Sequence, residues 1–188
     1  MIHNKRIAFP ALAEPKAIGE GSPAFGARFI IEPNDPEVAL MDATMEAVAA
    51  EKWKEDGDDV LEHLIEEGLT AFKHSPYRSK KTGKVYDGFQ GKFNLGTRSE
   101  KTKPTVLNEF GKEVSDTRAI ESLIYSGCFV HAQVEFWAQD NTYGRRINAS
   151  LLGVMFADRG ESFGGGSPPA DASDFKALAR RVDIEDVL

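Results

Sequence analysis

The stretch from Cys128 to Phe156, CFVHAQVEFWAQDNTYGRRINASLLGVMF, constrains the fold more than any other part of the chain. Val130, Ala132, Val134 and Phe136 alternate with Phe129, His131, Gln133, Glu135 and Trp137. A period of two puts the first set on one face of a strand and the second on the other. Asp140-Asn141 through Gly144 is turn chemistry, and Arg146–Val154 returns as a second long strand. The expectation is a β-rich domain built around one long hairpin.

The remaining elements are shorter. Lys5–Phe9 and Arg28–Ile31 read as strands, with Pro10, Pro15, Pro23, Gly19 and Gly21 marking a loop between them. Asp35-Pro36-Glu37 is a helix start, with an acid near the positive end of the helix dipole. Val38, Met41, Met45, Val48 and Trp53 follow at helical spacing and read as core. The spacing predicts helices over Pro36–Asp56 and Asp59–Phe72, the second weakened by Gly68. A loop is expected from Lys73 to Lys84. From Tyr86 to Arg98, Phe89, Gly91, Phe93 and Leu95 alternate with Gln90, Lys92 and Asn94, which predicts a half-buried strand with a basic polar face. Pro104–Leu107 reads as a short strand. Ser115 or Asp116 is expected to cap a short helix running to Tyr125 and ending at Gly127. At 188 residues the chain suits one domain. We place it at residues 1–160, followed over 161–188 by a Gly/Pro linker and an acidic tail.

Charge is unevenly distributed. The formal net charge is −7, yet Lys73 to Lys103 carries nine basic residues against Asp87 and Glu100. That segment is therefore +7 on a body of −14. Screening confines each field to about a Debye length, so a basic patch on an acidic body still attracts phosphates. The same numbers also describe a solvated lysine-rich loop.

Aromatic residues stand beside the basic ones: Tyr77 before Arg78, Tyr86 after Lys84, and Tyr143 just before Arg145-Arg146. Binders of single strands that ignore sequence combine a basic groove for phosphates with flat rings for bases. Phe129 and Trp137 lie on the polar side of the long strand, so each either covers a second layer or faces a ligand. Phe89 and Phe93 read as core.

Signatures of catalysis are sparse. The sequence has no phosphate-binding Gly-x-x-x-x-Gly-Lys-Ser/Thr loop, no dinucleotide-binding Gly-x-Gly-x-x-Gly and no Gly-x-Ser-x-Gly nucleophile elbow. Cys128 and His131 fall on opposite strand faces, which argues against shared zinc ligation. Glu135 and Asp140 read as surface acids near a hairpin tip rather than as nuclease metal ligands. With one cysteine and no apolar core of signal-peptide length at its start, the chain is expected in the cytoplasm of a cell rather than exported.

Four pieces carry a resemblance. They are Phe9-Pro10 with Glu14-Pro15-Lys16 and Phe29-Ile30-Ile31-Glu32-Pro33; the helix reaching Glu51-Lys52-Trp53; the aromatic-glycine strand Phe89–Thr97 with Pro104–Leu107; and Tyr125-Ser126-Gly127-Cys128-Phe129-Val130 before the hairpin. In this order, over about residues 5–160, the chain resembles a family of small tailed-phage proteins with an OB-fold that bind single-stranded DNA. The resemblance implies coating of exposed strands in replication and recombination inside the bacterial host, without cofactor, metal or catalysis. It also implies a role in recruiting replication or recombination proteins for the acidic tip, Asp183, Glu185 and Asp186. That tip is short here, and Arg180 and Arg181 precede it.

The expected fold is mainly β with inserted helices, an OB-fold: a partly closed Greek-key barrel of five or six strands. One groove is expected to gather Arg78, Lys80, Lys81, Lys84, Lys92, Arg98, Arg145 and Arg146 for phosphates. Tyr77, Tyr86, Phe129, Trp137 and Tyr143 are expected to stack bases. No membrane partner is expected, and the protein should be a monomer or weak homo-oligomer. Two alternatives stand beside this: a metal-dependent nuclease acting on phage DNA, and a non-catalytic phage protein-interaction module.

Overall fold

In the computed structural model, residues 1–17 and 21–163 are described. Seven strands form one sheet: β1 (Ile2–Lys16), β2 (Ala24–Ile31), β3 (Phe72–Lys73), β4 (Phe93–Ser99), β5 (Thr105–Leu107), β6 (Phe129–Asn141) and β7 (Gly144–Asp158). Their order across the sheet is β3-β4-β2-β1-β6-β7-β5, antiparallel except for the β5–β7 pair. The ends of this order approach each other. Thr70, just before β3, bridges to Ile147 of β7. The Ser99 hydroxyl of β4 donates to the Leu151 carbonyl and accepts from the Leu151 amide. These contacts curl the sheet into a partly closed, OB-like barrel, with two more strands than the lower expectation and one more than the upper.

Inside lie Ile7, Phe29, Ile31, Leu95, Val130, Ala132, Ile147, Ala149 and Leu151, all buried. They come from alternate strand positions, as the period of two demands. Helix α1 (Glu37–Trp53) continues through a 3-10 turn (Lys54–Asp56) into α2 (Gly57–Glu66). The Asp35 carboxylate accepts the Glu37 amide at 2.9 Å and starts α1. Met41, Met45, Ala49 and Trp53 then face the core with Leu61 and Leu64 of α2. Gly57 permits the tight corner, because a Cβ there would stand 2.9 Å from the Ala50 Cα. Helix α3 (Thr117–Leu123) is capped by Asp116, whose carboxylate accepts the Ala119 amide, and it buries Ile120.

Three boundaries differ from those expected. β1 runs on through Pro10 and Pro15, which read as loop residues. The register breaks between Ala8 and Ala11 and again before Lys16, and at such bulges proline costs no ladder hydrogen bond. α2 stops at Glu66 instead of reaching Phe72, because Gly68 turns the chain at φ 65°. The strand expected from Tyr86 begins only at Phe93: Gly88 and Gly91 adopt positive φ and make turns of the preceding residues. The Lys73–Lys84 segment is also more ordered than a simple loop. Arg78 bridges to Val85, and the Ser79 amide donates to the Lys84 carbonyl.

At the tip of the β6–β7 hairpin, the Asp140 carboxylate accepts from the Trp53 indole at 2.8 Å. It also pairs with Arg145 at 3.3 Å. The hairpin is thereby tied to the C-terminal end of α1.

Candidate nucleic-acid interface

An open groove of about 1000 Å³ crosses the sheet. Its floor is β2 and β4, where Gly26, Ala27, Gly96 and Thr97 keep side chains small. One wall is β6 and β7: Glu135, Trp137 and Gln139 from the polar face of β6, opposite Arg146, Asn148 and Ser150. The other wall is Phe9, at the β1 bulge, with Tyr77 and Tyr86 from the segment between β3 and β4.

The aromatic wall is a packed unit. Tyr77 and Tyr86 stack with ring centroids 5.0 Å apart, and Phe9 meets both edge-on at 5.9 and 5.0 Å. Beneath them Phe89 is fully buried with Ala8 and Ile30. Phe9 itself is 48% exposed and held at φ 51°, while its amide donates to the Ser126 hydroxyl. Such a conformation is uncommon for a bulky residue and holds the ring outward instead of into the sheet. Across the groove Trp137 is 41% exposed, and its indole donates to the Ser150 hydroxyl at 3.1 Å. Apolar ring surface left in water on two facing walls suits flat partners.

The cations are graded along the groove. Near the Ser99 end, Arg98 is compensated by Glu100 at 3.0 Å and by the Ser22 carbonyl, and Glu135 lies on the adjoining wall. Toward the Thr70 end stand Arg28, Lys73 and Arg146, none with a carboxylate partner among the described residues. The Arg28 guanidinium lies 3.6 Å from the Tyr77 ring centroid and donates to the Asn94 side chain. Burial lowers its pKa, against the pull of Tyr77 and Tyr86. Burial also lowers the pKa of Lys73, reinforced by the fields of Arg28, Lys80 and Arg146. Such a surplus of positive charge attracts anions.

The family of the single-stranded DNA-binding protein of Enterobacter phage Enc34 matches residues 1–187. The chain belongs to this family. Protein p50 of Acyrthosiphon pisum secondary endosymbiont phage 1 is 31% identical over 97% of this chain and 96% of its own length. Among solved structures, the Enc34 single-stranded DNA-binding protein in complex with ssDNA is similar at TM-score 0.70. The identity is 24%, covering 87% of this chain and 88% of the other. The single-stranded DNA-binding protein gp2.5 of bacteriophage T7 is similar at TM-score 0.53 and 14% identity, covering 96% and 92%. Both likenesses concern the fold: an OB-like arrangement with helices on a mainly β sheet.

In this member of the Enc34 family the groove gathers five of the thirteen folded-region candidates: Tyr77, Tyr86, Trp137, Arg98 and Arg146. Others lie elsewhere. Lys92 pairs with Glu32 outside the groove. Arg145 is taken by Asp140 and lies 6.0 Å from the Trp53 ring centroid. Phe129 sits at the far end of β6, half-buried under Arg6 and Gly160, so it covers a layer instead of facing the groove. Tyr143 is 86% exposed at the hairpin turn, away from the groove lining. Arg78 donates to the Gly83 carbonyl, while Lys80, Lys81 and Lys84 are exposed on the basic hairpin, where only the field of Lys80 acts on Lys73. Asp183, Glu185 and Asp186 lie outside the described residues.

The basic loop from Lys73 was expected at the groove, but Phe9, Arg28, Lys16, Phe25 and Lys101, which also line it, were not among the candidates read from the sequence. Phe9-Pro10 stood out only within the family pattern, and Lys73 only as the edge of the basic stretch. Among the described residues, no three His, Cys, Asp or Glu side chains converge as a metal site. Cys128 is fully buried, and burial pushes its thiol up to about 11.

Proposed function

We propose that this protein binds single-stranded DNA with little regard to sequence, coating exposed strands during phage replication and recombination in the host cytoplasm. The observation that carries the reading is the convergence of exposed rings and uncompensated cations in one open groove. Rings accept any base, because every base has a π-face, and cations accept any phosphate. The relatives named for single-stranded DNA binding support the same reading.

We assign binding to residues 1–160 and treat 161–188 as an appended linker and acidic tail that docks replication or recombination proteins. The function is one of binding, not catalysis. A titration of oligo-dT at several salt concentrations tests it. Lys16, Arg28, Lys73, Lys101 and Arg146 line the groove without a carboxylate partner among the described residues. At about −0.7 per neutralised phosphate, three to five phosphates held by these cations give a log–log slope of roughly −2 to −3.5. A flat salt response, or no shift of single-stranded DNA at moderate salt, would overturn the reading. Cleavage of the same oligonucleotide with magnesium or manganese would point to the nuclease instead.

A further inference from the structure

We infer that Arg28, Lys73 and Arg146 form one pocket for a single phosphodiester at the Thr70 end of the groove. The pocket fixes the strand's backbone while Phe9, Tyr86 and Trp137 take bases. This rests on the single-stranded DNA reading and adds a position to it.

Strand register brings the three together. Arg28 of β2 stands opposite Gly96 of β4, and the Gly96 amide donates to the Ala71 carbonyl, two residues before Lys73. Ile147, next to Arg146, pairs with Thr70 and accepts from the Ala71 amide. Three elements far apart in sequence thus deliver one cation each to the same corner. Arg28 and Lys73 are also held in place. Arg28 is clamped between the Tyr77 ring and the Asn94 side chain, and a Cβ at position 96 would stand 3.0 Å from its guanidinium. The Lys73 ammonium donates to the Gly68 carbonyl.

The acids of the groove are elsewhere. Glu135 pairs across to Ser150 and Glu100 follows β4, both toward the Ser99 end. From Ile147 to Leu151, the β7 residue tied to Ser99, is about 13 Å at roughly 3.3 Å per residue. That exceeds a Debye length at physiological salt, so the two ends act separately. Like charges held together without a counter-charge oppose folding, and an anion with several acceptor oxygens relieves that opposition. The planar fork of Arg28 suits two phosphate oxygens, and Lys73 adds a point charge.

The test uses the full chain and two probes: oligo-dT, and an abasic phosphodiester oligomer of the same length. Lys73→Gln, Arg146→Gln and the double variant are compared with Lys73→Arg, which keeps the charge. Circular dichroism melting confirms that each variant is folded. If all three cations serve one phosphate, each single variant weakens binding but leaves two cations on it, so the salt slope falls by less than about 0.7, and the double variant lowers it by no more than about 0.7 in all. The fold-loss in affinity is then the same for dT and the abasic oligomer, and Lys73→Arg keeps the slope. A fall of about 1.4 in the double variant would mean separate phosphates, and unchanged affinity in the double variant would mean no contact. Either result overturns the pocket while leaving the groove standing. Wild-type protein that fails to bind dT overturns the groove reading itself.

Discussion

Replacing Trp137 with alanine should weaken binding of oligo-dT by about 5-fold to 150-fold without altering its salt dependence. The magnitude follows from the ring's setting. Stacking on an aromatic is worth roughly 1–3 kcal/mol per base by alanine substitution, and about 1.4 kcal/mol is a factor of ten. Trp137 is 41% exposed and already oriented by its bond to Ser150, so little rotamer freedom is lost on contact and the upper half of that range is expected. The slope is unaffected because no charge is removed. Tryptophan emission supplies the assay. The chain has two tryptophans, and Trp53 is 9% exposed with its indole bonded to Asp140. Quenching on addition of dT should therefore come from Trp137 and vanish in the alanine variant, while Trp137→Phe restores much of the affinity without the signal. Unchanged affinity in Trp137→Ala, with quenching intact, would show that the β6–β7 wall does not meet bases.

Gly26→Ala should lower the melting temperature clearly, because the new Cβ would lie 2.2 Å from the Thr97 carbonyl oxygen in the β2–β4 ladder. Overpacking of about 1–3 kcal/mol corresponds to roughly 2–4 °C per kcal/mol in a domain of this size, so melting within about a degree of wild type would contradict the close approach. Acid should weaken the fold partly through Glu37. Burial would raise its pKa, but Lys5 and His3 hold it below the ordinary 4.5. Its stabilising contribution is complete above that value and disappears as pH falls through the lowered one, so Glu37→Gln should flatten the stability profile at acid pH in urea melts. Deletion of residues 165–188, which include Asp183, Glu185 and Asp186, should raise affinity for dT if the acidic segment competes for the groove; equal or weaker binding would dismiss that competition.

What the sequence reveals about this molecule depends on how local each cause is. Strand parity made the face of Trp137 legible, but the same parity applies to Phe129, which lies under Arg6 and Gly160, so the groove itself was not read from parity. The Asp116 cap and the hairpin turn were legible because their hydrogen bonds close within a few residues. Phe9 was not, since its outward position depends on a bulge and a positive φ that no periodicity encodes. Nor was Arg28, whose role comes from Tyr77, Asn94 and Gly96 on other elements. Counting charge located the basic region but could not sort it: Lys92 is neutralised by Glu32, 60 residues earlier, while Lys73 has no such partner among the described residues. The second helix was overextended because Leu64, Ile65 and Phe72 suit one helical face. The turn at Gly68 sends Phe72 into the sheet instead.

The tie between Trp53 and Asp140 gives the two inserted helices a mechanical task. It anchors the tip of the long hairpin beyond Ile147, whose backbone is already bonded to Leu69 and Ala71. Splinted to α1, the tip that carries the end of the β6–β7 wall has one contact fewer to form when a strand is bound. Little has to be frozen on capture, and a passing strand meets a cleft already open.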